Sequence, residues 1–381
     1  MKKQFFSPLL FLAALGAGGI AIIPFAFLNY TFPHAAGLVK IAHISHSLLP
    51  LWQELLIRFL EISMIAFSAI HIVLSVVLTV KLIKWMKDKK RYTKFIQNPL
   101  TNSAIMAPFI SLVMTMNVFI GPIRYFAPQL SDNLQTFMLP ALIVWGVIWI
   151  ALMKMEIKLL AISFKNSFDI SKISFGWLLH PFALAMLTVT GTGIAALASS
   201  PAVAHTAAMF SAISGTMGVF LLTVKTITIF KSHFAAEGLP EKQFLPSFLI
   251  VVPNITLYAI SAFRLGHYLE HQFSAEMGSY YLILMVTAFA FETWYLMFGL
   301  ALLKDYFKNH FSKEYYVSQW GLVCPVVAYA VLTSFVYKVF VPSPILYWLI
   351  IATLIVVILL FGALLKKHCG CKRGKTQIDC V

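Results

Sequence analysis

The sequence has few charged residues and few cysteines for its length. Only 11% of the 381 residues are Asp, Glu, Lys or Arg, about half of the share that soluble domains carry. In contrast, 60% are hydrophobic and the mean hydropathy is +0.85. These values exclude a soluble globular protein and indicate a polytopic membrane protein. The four cysteines give no indication of a disulfide framework.

Some function classes are also excluded. The chain contains no nucleotide-binding loop and no extended soluble domain, and no cofactor is predicted. The net charge of +15 does not indicate nucleic-acid binding, because the lysines cluster at the ends of apolar runs. The basic residues are instead expected to lie beside the lipid bilayer.

Ten apolar runs are long enough to cross a bilayer. We predict an all-α polytopic membrane protein whose domain 1–367 contains ten transmembrane helices, followed by a basic, cysteine-containing cytoplasmic tail at 368–381. Residues 48–60 are predicted to form a separate interfacial helix. The predicted spans are 8–28, 62–80, 103–120, 137–153, 177–197, 207–224, 245–263, 280–303, 320–337 and 345–365.

Lysine and arginine are distributed very unequally between the two sides of these helices. The side opposite the termini holds five of them, and the remaining 24 of the 29 lie on the side of the termini. Because basic loops stay in the cytoplasm, we predict that both termini are cytoplasmic and that the protein lies in the cytoplasmic (inner) cell membrane. The five exceptions are Lys40, Arg58, Arg124, Arg264 and Lys338.

Prolines recur within the apolar runs at nearly constant intervals. Proline bends a helix, and lipid tolerates such a bend only where neighbouring helices or a water-filled cavity satisfy the freed carbonyls. The repeat predicts five helical hairpins around a central pore, with helices 1, 3, 5, 7 and 9 bent and innermost. The bend positions, separated by 73, 72 and 72 residues, are Pro108, Pro181, Pro253 and Pro325, with Pro24 and nearby glycines in helix 1.

Short motifs before these prolines carry a family resemblance. They are QNPLTNSAIMAP in helix 3, LPSFLIVVP in helix 7 and W-x-x-x-x-P in helix 9. With ten apolar runs and basic even-numbered loops, they resemble the tellurite-resistance/dicarboxylate transporter (TehA) and plant slow anion channel family over residues 5–367. The resemblance implies a homotrimer with one pore per protomer, which moves small anions of the chloride or nitrate type or of the dicarboxylate or sulfite type.

The resemblance also implies a gate. In that family a phenylalanine immediately before the helix-9 proline closes the pore, and the matching residue here is Cys324. Either the pore is more open than in relatives, or another aromatic residue takes the place of the plug. Phe109 and Phe182 are the candidates, with packing or lipid contact as their alternative role.

The repeat predicts which residues surround the pore axis. If Cys324 faces the axis, the residues that precede the other prolines, Ala107, His180 and Val252, face it too. His180 is the only titratable member, and histidine changes its charge near neutral pH. A pore-facing His180 would attract anions as the pH falls. The alternative is a histidine that pairs with a neighbouring helix.

Polar and basic side chains of the bent helices extend the candidate site. Hydroxyl and amide donors hold anions loosely enough for release, although the small residues around Thr190 also suit close helix packing. Two arginines at the outer ends of helices 3 and 7 are predicted either to concentrate anions at the pore mouth or to anchor at lipid headgroups. The polar candidates are Thr115, Asn117, Thr188, Thr190, Thr192 and Asn254, and the mouth candidates are Arg124 and Arg264.

Other ionisable residues support an alternative function, in which histidines bind a metal ion or a haem. His267, Glu270 and His271 have the H-x-x-E-H spacing of some zinc sites, and His43 and His46 form a second pair. A membrane-embedded metal- or haem-binding enzyme would use such histidines. A third ligand for the H-x-x-E-H segment is not obvious, and this segment is predicted at a helix end near the outer surface. We therefore prefer an anion channel or transporter that is not an enzyme and holds no metal. His71 and Glu292 lie on straight, outer helices, where pairing between helices or subunits is expected.

The topology can be tested with reporter fusions. A reporter fused after Lys367, or inserted in the loop 87–94, should report a cytoplasmic location, and one near Asp132 should report an external location. The reason is the unequal distribution of basic residues. A cytoplasmic report after Lys367 combined with an external report from the loop 87–94 would contradict the ten-helix topology.

Overall fold

The computed structural model of the protein describes residues 6–34, 37–46, 49–236, 238–373 and 379–380. Ten helices in these residues are long and apolar enough to cross a membrane, which confirms the predicted fold class. They are α1 (Pro8–Thr31), α2 (Leu51–Met86), α3 (Asn102–Phe126), α4 (Leu134–Lys165), α5 (Phe175–Leu197), α6 (Pro201–Ala235), α7 (Leu245–Phe273), α8 (Gly278–Leu302), α9 (Val317–Val339) and α10 (Pro344–Arg373).

The connections contain little further structure. Short helices at Lys89–Ile96 and Pro128–Asp132 follow α2 and α3. Two strands of two residues each, Glu314–Tyr315 and Asp379–Cys380, pair in parallel. We call the face where α1 begins the N-terminal face and the face where α1 ends the far face.

Two boundaries differ from those predicted. Residues 51–60 are not a separate interfacial helix, because they form the first turns of α2 without interruption. The last helix continues to Arg373, past the predicted start of the tail at residue 368, while residues 374–378 and 381 lie outside the described residues. Cys371 at the end of this helix is disulfide-bonded, which the sparse cysteines did not indicate.

The odd-numbered and even-numbered helices differ sharply in burial. In the most apolar window of each odd helix, 61–94% of the residues are buried, compared with 17–39% in each even helix. In addition, α1 packs against both α3 and α9, α5 packs against α3 and α7, and α7 packs against α9. The odd helices therefore form a closed inner ring, and the even helices form an outer layer with apolar, exposed surfaces.

The repeated prolines lie at a change of helical type. Each is the third residue of an α-helical segment that follows a 3₁₀ segment of four to six residues. The first residues of an α-helix have N–H groups without a partner four residues earlier, so a proline costs least there. Pro108, Pro181, Pro253 and Pro325 therefore lie toward the N-terminal face, near the starts of their α-helical segments. Helix α1 also begins with a 3₁₀ segment, Pro8–Leu10, and has Pro24 within its α-helical part.

Glycines allow the helices to approach one another closely. A Cβ atom at Gly16 or Gly19 of α1 would lie 2.8 Å from a methyl group of Val323 or Val327 in α9. A Cβ atom at Gly191 of α5 would overlap the Trp145 ring of α4 and the hydroxyl of Ser211 in α6. Small residues at such contacts are typical of helix packing in membranes.

Substitution of Gly191 tests this packing. We expect Gly191→Ala to lower the free energy of unfolding by about 1–3 kcal/mol, because overpacking forces neighbouring side chains and backbone to move. The matched control is Gly146→Ala, where a Cβ would meet no atom within 4 Å and helix propensity favours alanine. The measurement is the thermal unfolding midpoint of each purified variant in detergent, and equal midpoints for the two variants would contradict the packing.

Candidate functional site

The inner ring encloses a cavity of about 440 Å³. All five odd helices contribute to its lining, at the helical spacing expected for one face of each helix. The wall is mainly apolar, with a small number of polar side chains. Among the lining residues are Gly16, Gly19 and Tyr30 of α1, Met114 and Asn117 of α3, Phe182, Thr190 and Gly193 of α5, Pro253, Thr256 and Arg264 of α7, and Cys324, Val327 and Phe335 of α9.

The cavity extends from the level of the prolines to the far face. At its inner end, which we call the floor, it is lined by Phe182, Pro253 and Cys324. At the other end it reaches Gly37 and Leu38 in the α1–α2 connection. Phe182 and Cys324 are 2% and 7% exposed, so the floor is closely packed. The two residues thus lie at the point where a passage through the ring would have to open.

Arg264 contributes a positive charge to the cavity wall. Its Nη1 atom donates a hydrogen bond to the Val189 carbonyl of α5, at 2.7 Å. Gly193, one turn further along α5, leaves room for the guanidinium, since a Cβ there would lie 3.0 Å from Nη1. Among the described residues that line the cavity, no other Lys or Arg and no Asp or Glu occurs. The wall is therefore positively charged.

Thr190 and Asn117 form a hydrogen-bonded polar pair on the cavity wall. The Asn117 amide donates to the Thr190 hydroxyl at 2.7 Å, and that hydroxyl donates to the Met186 carbonyl at 3.1 Å. Two predicted lining residues therefore meet in the cavity. Thr115 does not line it, because its hydroxyl lies 2.9 Å from Nε2 of His71. Nδ1 of His71 lies 2.7 Å from the Ala14 carbonyl, so this histidine pairs between helices as expected.

The other predicted polar residues point elsewhere. The Thr188 hydroxyl lies 2.9 Å from that of Ser214 in α6. The Thr192 hydroxyl and the Asn254 amide donate to carbonyls of their own helices. All three are buried outside the cavity lining. Of the three, Thr188 contacts the outer layer, and none lines the cavity, because neighbouring positions of a helix face different directions.

Arg124 is buried rather than open to the cavity. Its Nη2 atom donates to the Val39 carbonyl at 2.6 Å, and its Nε atom donates to the Ile120 carbonyl at 2.9 Å. It is 3% exposed, and its guanidinium lies 5.9 Å from the centre of the Phe25 ring. The arrangement fixes the α1–α2 connection to the end of α3. Of the two arginines predicted at the mouth, only Arg264 lines the cavity.

His180 is turned away from the cavity, toward the outer layer. Its Nδ1 atom lies 2.7 Å from Oε2 of Glu156 in α4, and both side chains are almost completely buried. Lys225 of α6 is buried nearby, with its ammonium 4.5 Å from the centre of the Trp177 ring. This corresponds to the alternative in which His180 pairs with a neighbouring helix.

Some of the residues that we predicted around the pore axis line the floor of the cavity, and others do not. Ala107 and Val252 are completely buried and do not line the cavity, and Phe109 is also absent from its lining. Cys324 and Phe182, however, line the floor. The reason is that the odd helices do not enter the ring at equal depth: α3 first reaches the cavity at Met114, whereas α9 reaches it at Cys324.

The H-x-x-E-H segment lies at the far-face end of the cavity. His267 and His271 line it. Glu270 accepts a hydrogen bond from the Tyr281 hydroxyl at 2.7 Å and lies 2.8 Å from Nδ1 of His267. No group of three or more His, Cys, Asp or Glu side chains that could hold a metal ion occurs among the described residues.

Some site residues were not identified from the sequence. Asn29 and Tyr30 of α1 line the cavity, but α1 lacks the repeated proline that indicated the inner faces of the other helices. Glu156 and Lys225 were also missed. Both lie just beyond the ends of the predicted spans 137–153 and 207–224, where charged residues are common, so nothing in the sequence distinguished them.

The fold and the cavity define a polytopic membrane protein in which five helical hairpins enclose a passage lined by a positive charge. The sequence matches the SLAC1 family, described as voltage-dependent anion channel, over residues 5–369. The chain belongs to this family, which includes TehA and the plant slow anion channels and consists of channels and transporters rather than enzymes. The resemblance found from the motifs is thus confirmed. No curated protein matches the sequence.

The position of Cys324 can be tested with a charged thiol reagent. If the thiol faces the floor, a negatively charged methanethiosulfonate should modify it through the cavity and block transport, and permeant anions should slow the modification. Cys324→Ala should abolish the block, and Cys324→Phe should lower anion flux by filling the floor. An intact Cys324→Phe protein with full flux, or a wild-type thiol that does not react, would contradict this position.

Proposed function

We propose that the protein moves small anions through the cavity of the inner ring. The observation that supports this most strongly is the combination of a cavity ringed by five helices with Arg264 in its wall. A cation in a narrow, low-dielectric passage raises the local concentration of anions and lowers that of cations. Arg264 therefore accounts for selection by sign of charge.

The attraction between the Arg264 charge and an anion is large enough to favour anions over cations. A unit charge attracts an anion 4 Å away by about 1 kcal/mol in bulk water and by about 4 kcal/mol at the effective dielectric constant of a protein surface. The lower value already changes occupancy about fivefold. The Val189 carbonyl holds the guanidinium but leaves most of its five donors unoccupied. Arg264 can therefore bind an anion and remain fixed.

The wall favours small monovalent anions over dicarboxylates. One guanidinium compensates one negative charge, and the second carboxylate of a dicarboxylate would face an apolar wall, which is unfavourable. The Asn117 amide already donates to the Thr190 hydroxyl and to the Val113 carbonyl, so it would add only weak binding to an anion, as conduction requires. We therefore propose substrates of the chloride or nitrate type, with sulfite-like anions and dicarboxylates as poorer substrates.

The gate is proposed to be the floor formed by Phe182 and Cys324. The phenyl ring of Phe182 offers a substitute for the plug that is missing at position 324. It follows Pro181 directly, so a small change at the 3₁₀-to-α transition of α5 would move it. Passage then requires displacement of the Phe182 ring.

The proposed orientation rests on the distribution of basic residues, and the proposed assembly rests on the apolar outer layer. We propose that the far face is external and that the N-terminal face is cytoplasmic, because the basic residues lie predominantly on the latter. Large apolar side chains are exposed along the even helices, which suits contact with lipid and with other protomers. A homotrimer would bury part of this surface while each protomer keeps its own passage.

Neutralisation of Arg264 tests the proposal. We expect Arg264→Gln to lower the uptake of radiolabelled chloride by proteoliposomes at least about fivefold, because the attraction for the anion is lost. Arg264→Lys keeps the charge and should retain more of the flux. The control is Arg58→Gln, which removes an exposed arginine that pairs with Glu54. Unchanged chloride uptake by a folded Arg264→Gln protein would contradict the role of Arg264.

A further inference from the structure

Glu292 of α8 is a buried carboxyl group beside the inner part of the cavity. Its side chain has no exposed surface, and its Oε1 atom lies 2.5 Å from the hydroxyl of Thr256 in α7. Thr256 lines the cavity one turn beyond Pro253, which lines the floor. Oε2 has no hydrogen-bond partner among the described residues. The carboxyl group is therefore connected to the cavity through one hydroxyl.

Within the described part of the chain, no positively charged side chain compensates Glu292. Helix α8 packs against α7 and α9. The titratable group that faces Glu292 from α9 is Tyr329, whose hydroxyl lies 3.0 Å from that of Thr293, and Thr256 is the polar contact from α7. Among the described residues, no Lys, Arg or His pairs with Glu292. Burial of an unpaired carboxylate costs free energy, and binding of a proton removes this cost because it neutralises the group.

Thr256 can satisfy both protonation states of Glu292. When Glu292 is ionised, the Thr256 hydroxyl donates to Oε1. When Glu292 is protonated, its O–H group donates to Thr256, and the Thr256 hydroxyl donates to the Val252 carbonyl, which lies 3.2 Å away. A rotation of one hydroxyl therefore accompanies the change of state, without rearrangement of the helices.

We propose that Glu292 and Thr256 form a proton-binding site coupled to the anion in the cavity, so that a proton moves together with the anion. This inference rests on the proposed function. A hydrated proton in the cavity is transferred to Thr256 Oγ1 while the Thr256 proton passes to Glu292 Oε1. The carboxylate becomes a neutral acid, threonine is regenerated, and a water molecule remains in the cavity. The reverse transfer releases the proton.

The coupling follows from the position of the carboxyl group. A carboxylate beside the floor repels an anion that arrives there, whereas the neutral acid does not. Proton binding therefore favours the anion at the floor, and by thermodynamic reciprocity the anion favours proton binding. Arg264 lies further toward the far face, two to three turns along α7, and attracts the anion in either state. The two charged groups thus act at different depths of the same passage.

Simultaneous measurement of anion and proton movement tests the proposal. Proteoliposomes with a pH-sensitive dye in the lumen are given an inward chloride gradient, with the membrane potential held near zero by potassium and valinomycin. We expect wild-type vesicles to take up chloride and to acidify at a rate about tenfold above protein-free vesicles, because the two ions are coupled. Chloride uptake without acidification of the lumen would overturn the proposal.

Two variants and a control assign the site. Glu292→Gln resembles the neutral acid, and we expect it to take up chloride without acidifying the lumen. Thr256→Val keeps the carboxyl group but removes the hydroxyl, and should also lose the acidification even if Glu292→Gln does not fold. Glu276→Gln, an exposed glutamate in the α7–α8 connection, should behave as wild type. Acidification that persists in either Glu292→Gln or Thr256→Val would overturn the assignment.

Failure of the proposed function gives a different result. In that case wild-type vesicles would take up neither chloride nor nitrate nor malate, whatever the pH. Anion uptake that is independent of protons would leave the function intact and contradict the role of Glu292 alone.

Discussion

Inside a bilayer, a backbone donor or acceptor without a partner is too costly to expose, and this constraint determines the inner ring. Each repeated proline lacks an N–H group, and each lies where an α-helix has unpaired N–H groups in any case, just after a 3₁₀ segment. The chain can therefore change helical type inside the membrane without leaving a donor unsatisfied. In α5, α7 and α9 the residues at this transition, Phe182, Pro253 and Cys324, line the floor of the cavity.

Charged side chains inside the bilayer also need partners, and they find them differently on the two sides of the floor. On the far side of the floor, Arg264 donates to a backbone carbonyl and borders the cavity. On the near side, His180 and Glu156 pair in a closely packed region outside the cavity lining. A passage that holds one positive charge above a closed apolar floor is consistent with a family of anion channels and transporters.

Much of the fold could be predicted from the sequence, because membrane thickness and the proline repeat are strong signals. The number of helices and the division into inner and outer helices required no knowledge of side-chain contacts. The residues of the candidate site were harder to predict from the sequence. Position 324 faces the cavity, but its repeat equivalents at 107, 180 and 252 do not, since sequence equivalence does not fix the depth or rotation of each helix. The partner of His180, Glu156, lies on a different hairpin, and such contacts cannot be read from spacing.

We propose that the ring of five odd helices passes anions and excludes cations. The most direct test is the uptake of radiolabelled chloride and radiolabelled rubidium, measured side by side in proteoliposomes that contain the purified wild-type protein. This account predicts chloride uptake well above that of protein-free vesicles, with rubidium uptake at the level of those vesicles. Equal uptake of both ions, or chloride uptake no faster than in protein-free vesicles, would contradict it.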